Sequence, residues 1–514
     1  MVQSLVSSII LWLLLLISLV ILNFIIFNLK NIFLLFSKIK RKTWILLLLI
    51  FVIGFVLRFF VVTHMHNLYY DEEAYLDIAK HISSKWNNCL CLYNVDGDCK
   101  FCGFSFKSIG YLFILGIFFK LFGVSSLVAF YVSSLFGSLT IMIIFLFSYL
   151  LFKKEKIALL SSLVLALFPL HIRWSGSAAA EIVSLFFIIT TFLFLFIYFE
   201  FRKFKYLILA VLVLIFSMTV KEENLLLLPF FFLFFIVKRF SKKRLYIAIG
   251  IILILFIPFV LGNILLQTGT TIEDSYAGSR YTFWKQGKIL SFEFFINNIF
   301  RNFLFFVNIS YSMVIVILFF FIGLYYLWRY NKRLWIILFL WLFSITALFS
   351  AFFEDPLNFS EVRHYMPALL SIILFSSFGM YYFSKIKFIQ KIKGLYIIVG
   401  ILLLSVLFYM PYITLDKSPV VQAQQDHDFL VSHLSDIPKD CLVLTPESYV
   451  LDLYDKSSLS LYLLDRFQFS SKCNYYYESE ICYRESFKIC NATRNSFDLE
   501  LVASNGRHSF FKIK

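Results

Sequence analysis

Apolar runs recur along this 514-residue chain from residue 9 to residue 413. Many approach the roughly 20 residues that cross a bilayer core as one α-helix. Only 15% of the residues are charged and 61% are apolar, which leaves too little polar surface to cover a water-soluble globule. The chain is therefore predicted to be an α-helical polytopic membrane protein. A cytosolic enzyme, a nucleic-acid-binding domain and a coiled coil are excluded.

The apolar runs predict about twelve membrane spans. The basic excess lies in six short loops between them, which hold 23 of the Lys and Arg residues of a chain with net charge +16. Lys and Arg keep such loops on the cytoplasmic side, so both termini are predicted to lie outside, and no nucleic acid is expected as a partner. The predicted spans are 9–29, 44–63, 125–152, 157–172, 181–199, 205–220, 224–237, 245–265, 303–328, 334–352, 364–384 and 394–413.

Three long segments are predicted to be extracytoplasmic: residues 64–124, 266–302 and 414–514. The first ends in an apolar stretch, Ile109–Phe122, that is expected to lie along the membrane. The last has ordinary composition, with 11 Lys or Arg and 14 Asp or Glu. Helix-like and strand-like runs alternate in it, which predicts a small C-terminal α/β or α+β domain.

All eight cysteines lie in predicted outer segments, four in the first loop and four in the tail. An even number on the oxidising side favours disulfides. The first-loop cluster could instead bind structural zinc through two close pairs of thiolates, and redox chemistry is a third interpretation. The first-loop cysteines are Cys89, Cys91, Cys99 and Cys102; those of the tail are Cys441, Cys473, Cys482 and Cys490.

An amphipathic helix is predicted at residues 69–82, on the outer surface just after the second span. Its apolar stripe is preceded by Asp71 and Glu72. Taken alone, these acids are explained by a structural role, because an Asp caps a helix and acids near the N-terminus complement the helix dipole.

Other charged residues lie at the outer ends of spans and change that interpretation. Glu181 opens the fifth span, Lys221 follows the sixth, and Arg363 and His364 open the eleventh. Charges at membrane segments are costly, and each is a candidate functional residue. One outer cavity could gather the carboxylates of Asp71, Glu72 and Glu181 with these cations. The alternative is that each charge only snorkels to the interface.

Carboxylates beside cations at a membrane surface suit sugar transfer from a lipid phosphate. The cations would neutralise the phosphate as it departs, and a carboxylate would take the proton from the incoming hydroxyl. A bound divalent cation is another use for the carboxylates.

The order of these signals resembles the GT-C membrane glycosyltransferases, in particular the protein O-mannosyltransferase and aminoarabinose transferase group. The resemblance covers residues 44–413, leaving residues 1–43, an extra span with its basic inner loop, and the tail 414–514 outside it. It rests on the Asp71–Glu72 pair, KSIGYLFILGIFFKLFGVSS (107–126), LFPLHIRWS followed by Glu181, VKEENLLLLP (220–229) and RHYMP (363–367).

The resemblance implies transfer of a sugar from a dolichyl- or undecaprenyl-phosphate carrier to an acceptor hydroxyl on the extracytoplasmic face, with inversion. The acceptor would be a protein, a glycan or a lipid. Asp71 would be the base or, with Glu72, a metal ligand. Glu181 would be the further catalytic acid that is usual in this group near the start of the matching span. The resemblance assigns binding of the lipid phosphate to Lys221, Arg363, His364 and Tyr365. No Trp-Trp-Asp motif is present, so transfer of a whole glycan to asparagine is not expected.

A transporter or lipid flippase is the alternative function. It predicts ionisable residues near the middle of spans, where Arg58 is the main candidate. A membrane scaffold that presents the tail is a third possibility, and it gives no reason for an outer set of carboxylates and cations. The charge positions favour the enzyme.

Overall fold

A computed structural model describes most of the chain. The described residues are 2–104, 108–237, 242–267, 292–308, 311–351, 362–414, 419–438, 440–464, 473–479, 482 and 487–514. The predicted outer loop 266–302 falls largely outside them.

Within the described part, eight helices are long and apolar enough to cross a membrane, or nine if one bent pair is a single span. Three shorter apolar helices accompany them. The predicted polytopic helical fold is confirmed, whereas the number of twelve spans stays a prediction. The eight helices are Gln3–Phe36, Arg41–Val61, Ser126–Phe152, Ala180–Phe201, Lys243–Gly262, Lys332–Ser350, Arg363–Phe383 and Gly394–Thr414. The shorter ones are Ile109–Phe122, Phe204–Val220 and Val314–Tyr330.

The bent pair occupies the predicted span 157–172. Its helices, Glu155–Leu167 and Pro169–Ser175, meet at an angle of 56°. Pro169 opens the second helix and Phe168 before it is extended, as expected because a proline disfavours the helical conformation of its predecessor. After the break, helix Pro169–Ser175 precedes helix Ala180–Phe201, which carries Glu181.

Small residues bring two of the helices into close contact. A Cβ on Gly323 would lie 1.9 Å from the backbone oxygen of Phe375, and one on Gly379 would lie 2.2 Å from that of Phe319. Helices Val314–Tyr330 and Leu369–Phe383 therefore pack backbone to backbone, as is usual where glycines line a membrane helix interface.

Two strands of the first outer loop join the C-terminal domain. In the part of the chain that the structure describes, the sheet has seven strands in the order β2-β1-β4-β3-β5-β7-β6. The β3 strand pairs in parallel with β4 and β5, and β1 pairs antiparallel with β4 through Tyr93 and Leu459. The predicted tail domain is thus completed by a hairpin that the sequence analysis left in the loop. The strands are β1 Cys89–Val95, β2 Asp98–Phe104, β3 Cys441–Thr445, β4 Ser458–Ser460, β5 Cys473–Glu478, β6 Leu499–Ser504 and β7 Ser509–Ile513.

All eight cysteines form disulfides, which decides between the interpretations of the cysteine pattern. Two disulfides cross the β1–β2 hairpin and one joins the neighbouring strands β3 and β5. Bonded sulfurs cannot serve as thiolate ligands, so zinc binding by the first-loop cysteines is wrong. The pairs are Cys89–Cys102, Cys91–Cys99, Cys441–Cys473 and Cys482–Cys490.

The predicted amphipathic helix spans Tyr69–Lys85, and both of its faces are covered. Its apolar side packs on helix Ile109–Phe122, where a Cβ on Gly116 would lie 2.6 Å from Ile82. Its polar side meets the C-terminal domain, and His81 Nε2 lies 3.0 Å from an oxygen of Asp452. The polar face therefore binds the tail instead of facing water. Whether Ile109–Phe122 lies along the membrane stays a prediction.

Helices Pro419–His433, Ser448–Asp452 and Phe487–Ser496 cover the sheet. The other described helices are Leu227–Val237, Phe292–Phe303 and Lys387–Lys391.

Candidate active site

Four charged side chains that the sequence analysis selected come together from four separate elements. Each lies where a helix begins or ends. Together with Glu223 and His364 they form a connected set, called here the Asp71 network. Asp71 is in the first turn of Tyr69–Lys85, Glu181 is in the first turn of Ala180–Phe201, Lys221 directly follows Phe204–Val220, and Arg363 opens a 3₁₀ turn before Leu369–Phe383.

Arg363 links the two acids that the sequence analysis placed in the site. Its Nη2 lies 2.5 Å from Asp71 Oδ2, and its Nε lies 3.5 Å from Glu181 Oε1. The Asp71 side chain is 32% exposed, whereas that of Glu181 is 2% exposed. Asp71 is thus the carboxylate that an incoming molecule can reach, and Glu181 supports the cation behind it.

Lys221 joins the same network from the other side. Its Nζ lies 2.6 Å from Glu181 Oε1, 3.3 Å from Glu223 Oε1 and 3.2 Å from His364 Nδ1. Desolvation lowers the pKa of Lys221, but Glu181 and Glu223 outweigh it and raise that pKa above its ordinary value. Lys221 therefore keeps its charge although it is buried.

The network combines charges of both signs in a largely buried place. Asp71, Glu181 and Glu223 supply three carboxylates, and Lys221 and Arg363 supply two cations. Buried charges persist when they are paired and hydrogen-bonded. A ligand that adds negative charge could draw on both cations, because each is already held in place by carboxylates.

Glu72 has a different environment from Asp71, although the two are neighbours in the chain. Its Oε1 accepts hydrogen bonds from the backbone N–H groups of Asn67 and Leu68, and its Oε2 accepts one from Ala178. The side chain is fully buried. Glu72 therefore fastens two outer loops together, which favours a positioning role over the catalytic or metal-binding role that the sequence analysis gave it.

Tyr365 and His364 are also neighbours in the chain that have different environments. His364 reaches Glu223 at 3.3 Å and so belongs to the network. Tyr365 is buried and stacks on Phe305, with ring centroids 4.5 Å apart. Of the residues assigned to the lipid phosphate, Lys221, Arg363 and His364 meet, and Tyr365 supports the turn that carries Arg363.

Trp174 and Glu223 are parts of the site that the sequence analysis did not select. The Arg363 guanidinium lies 6.0 Å from the centre of the Trp174 ring, a distance that suits a cation–π interaction. Both residues were within the quoted motifs, but their roles depend on the distant Arg363 and Lys221. Sequence spacing alone could not pair them.

Comparisons with known proteins identify the fold. Residues 107–261 match the family model described as dolichyl-phosphate-mannose-protein mannosyltransferase. The structure of ArnT from Cupriavidus metallidurans bound to undecaprenyl phosphate is similar, with a TM-score of 0.62, 10% identity, and 92% of this chain and 98% of that chain covered. The Archaeoglobus fulgidus oligosaccharyltransferase AglB, with an inhibitory peptide and a dolichol-phosphate, gives a TM-score of 0.55, 12% identity, and 92% and 74% coverage. The chain has the GT-C fold. No curated protein matches it in sequence.

The GT-C fold covers more of the chain than the sequence resemblance did. The superposition on ArnT includes 92% of the residues, whereas 44–413 leaves out both ends of the chain. Part of the first helix or of the C-terminal domain therefore has a structural counterpart in that protein. The predicted resemblance to this group of transferases is confirmed at the level of fold.

Proposed function

We propose that this protein is a membrane glycosyltransferase that moves a sugar from a polyprenyl-phosphate carrier to an acceptor hydroxyl on the extracytoplasmic face. The observation that carries the proposal is the pairing of the partly exposed Asp71 with Arg363, backed by buried Lys221 and Glu181. The family model and the ArnT structure with undecaprenyl phosphate support the donor class.

The cations of the network would hold the carrier phosphate. When the phosphate approaches Arg363, it competes with Asp71 for the guanidinium, and Lys221 adds a second positive charge nearby. Arg offers planar paired donors that fit phosphate oxygens, and Lys acts as a compact point charge. Negative charge that develops on the departing phosphate is thereby stabilised.

Once the phosphate has taken its place on Arg363, Asp71 would act as the general base. The acceptor oxygen attacks the anomeric carbon, its proton passes to Asp71, and the bond from that carbon to the phosphate oxygen breaks with the electron pair on the phosphate. One displacement of this kind inverts the anomeric centre. General-base assistance typically contributes about 10²–10⁴-fold in rate.

A divalent cation on Asp71 remains part of the proposal. In that case Asp71 and a second carboxylate of the network would hold the ion, which would neutralise the departing phosphate, and an oxygen of that phosphate would take the acceptor proton. Adding Mg²⁺ or Mn²⁺ to chelator-treated protein separates the two roles, since only the ion-dependent mechanism requires it.

Arg58 does not favour the transporter alternative. Its guanidinium donates to the backbone oxygens of Gly54, Leu165 and Ala166 and is buried. Arg58 lies in a π-helical turn at Leu57–Val61, and its hydrogen bonds join this turn to helix Glu155–Leu167. These bonds give the charge a structural reason to lie inside a span.

The proposal is tested with the purified full-length protein in lipid nanodiscs and radiolabelled polyprenyl-phosphate sugars. We expect release of free polyprenyl phosphate when donor and an acceptor mixture of membrane extract are both present. Transbilayer movement of an intact labelled lipid, without cleavage of the sugar–phosphate bond, would contradict it and favour the flippase.

A further inference from the structure

A second group of polar side chains lies beside the Asp71 network and shares no residue with it. His66 precedes helix Tyr69–Lys85, Glu73 lies on that helix, and His427 lies on the C-terminal helix Pro419–His433. One ligand atom from each lies within 4.8 Å of the others. The side chains of His66, Glu73 and His427 are 2%, 0% and 10% exposed. The group thus joins the first outer loop to the C-terminal domain in a buried place.

The distances between these atoms suit a small transition-metal ion. Glu73 Oε1 lies 2.5 Å from His427 Nδ1 and 3.6 Å from His66 Nε2. Ligand bonds to Zn²⁺ of about 2.0–2.2 Å place the atoms of a tetrahedral set about 3.3–3.6 Å apart. Small side-chain shifts would bring the three to that spacing. The Ser126 hydroxyl, 3.2 Å from His66 Nε2, would have to rotate its hydrogen away.

The outer nitrogen of each histidine lies near an oxygen that its N–H could approach. His66 Nδ1 lies 3.2 Å from Glu72 Oε2, and His427 Nε2 lies 3.0 Å from the Tyr454 hydroxyl. An N–H in those two positions leaves the lone pairs of the inner nitrogens facing Glu73. Such outer partners fix the tautomer and orient the ring towards the metal. Lone pairs facing a carboxylate need a cation or protons between them.

We propose that His66, Glu73 and His427 bind a divalent transition-metal ion of the Zn²⁺ class. Two imidazoles and one carboxylate form a known three-ligand set for zinc, with a fourth position left for water. The ion would fasten the C-terminal helix to the first outer loop. Glu73 is two residues from Asp71, so the ion would also hold the start of the helix that carries the proposed base.

Other groups of potential ligands in the described ranges are less suitable. One group consists of His81, Cys89 and Cys99, and the other of His81, Cys91 and Asp452. Those cysteines are in disulfides and do not offer thiolates. The His66–Glu73–His427 group is the one built from side chains that can ligate.

The test measures metal in the purified full-length protein, prepared through a tag that binds no metal. Elemental analysis gives the bound ion, and titration of chelator-treated protein with Zn²⁺ against a chromophoric competitor gives the affinity. The variants are His427→Ala and Glu73→Gln. His433→Ala on the same helix is the matched control, since its ring contacts the Phe429 carbonyl instead.

We expect about one Zn²⁺ per chain in the wild type and the control. The two ligand variants should lose at least the roughly 10–100-fold in affinity that outer-shell changes cause. Wild-type protein that binds no Zn²⁺, or equal affinity in all variants, would overturn the proposal. The readout is metal content, so it does not depend on the proposed sugar transfer.

A spectrum of the wild type keeps the test decisive if a variant fails to fold. Co²⁺ in place of Zn²⁺ should give the visible bands of a site with nitrogen and oxygen ligands. A strong thiolate charge-transfer band would place the ion on cysteines and contradict the assignment.

Discussion

Glu181 shows how one buried side chain can organise a charged site. It is 2% exposed and contacts both Lys221 and Arg363. Lys221 therefore pairs with both Glu181 and Glu223. Arg363 pairs with both Glu181 and Asp71. Loss of Glu181 would leave each cation with one of its two carboxylates.

We expect Glu181→Gln to lower the free energy of unfolding by about 1–3 kcal/mol, because Lys221 and Arg363 lose a buried acceptor while each keeps one carboxylate. The double variant Glu181→Gln/Lys221→Met should regain part of that loss, since one buried cation is removed as well. Thermal unfolding of the purified proteins measures both. A single variant as stable as the wild type would show that Glu181 does not hold the network together.

A second residue-scale prediction concerns Glu447 in the C-terminal domain. Burial raises its pKa from 4.5 to about 8, with Glu73 and Asp426 adding to the rise. The folded state then binds more protons than the unfolded state across that range, so the stability from neutral Glu447 is full below about pH 4.5 and lost as the pH rises towards 8.

We expect the melting temperature of the wild type to fall more between pH 5 and pH 8 than that of Glu447→Gln, which stays neutral. Glu500→Gln is the control, because that side chain is 59% exposed. Parallel pH profiles for wild type and Glu447→Gln would refute the assignment.

At the scale of elements, the β1–β2 hairpin attaches the C-terminal domain to the first outer loop. Two disulfides cross the hairpin, and β1 extends the sheet by pairing with β4. Helix Tyr69–Lys85 adds ion pairs to the same domain, among them Lys80 Nζ to Asp455 Oδ1 at 2.7 Å. The loop that carries Asp71 and the C-terminal domain are therefore one structural unit.

The eight cysteines should resist alkylation in the native protein and become labelled only after reduction. Mass spectrometry of alkylated protein with and without reductant measures this. In the reduced protein we also expect a lower melting temperature, because loss of native disulfides typically removes about 2–5 kcal/mol. Labelling of four thiols in unreduced protein would mean that the hairpin cysteines are not bonded.

At the scale of the whole molecule, the sequence predicted the local features and missed several long-range ones. Apolar runs and basic loops gave the helical membrane fold, because both signals are read within about 20 residues. The charges at span ends identified Asp71, Glu181, Lys221 and Arg363. Pairing of the hairpin with β4 escaped prediction, since strand partners distant in sequence are set by packing and not by a local pattern.

Glu72 illustrates the remaining limit. The adjacent acids Asp71 and Glu72 look equivalent in sequence, yet one meets Arg363 and the other accepts backbone N–H groups. Successive residues of a helix point about 100° apart, so neighbours in an acidic pair face different surroundings. Only the packed structure shows which of them faces the cations.

The role of Asp71 is tested by comparing sugar transfer by the wild type, Asp71→Asn and Asp98→Asn. Asp98 is the control, because its side chain is 56% exposed on the hairpin and pairs with Lys85 and Lys100. We expect transfer from a radiolabelled polyprenyl-phosphate sugar to fall about 10²–10⁴-fold in Asp71→Asn, with the control unchanged and all three proteins equally folded. Near-normal transfer by Asp71→Asn would contradict the account.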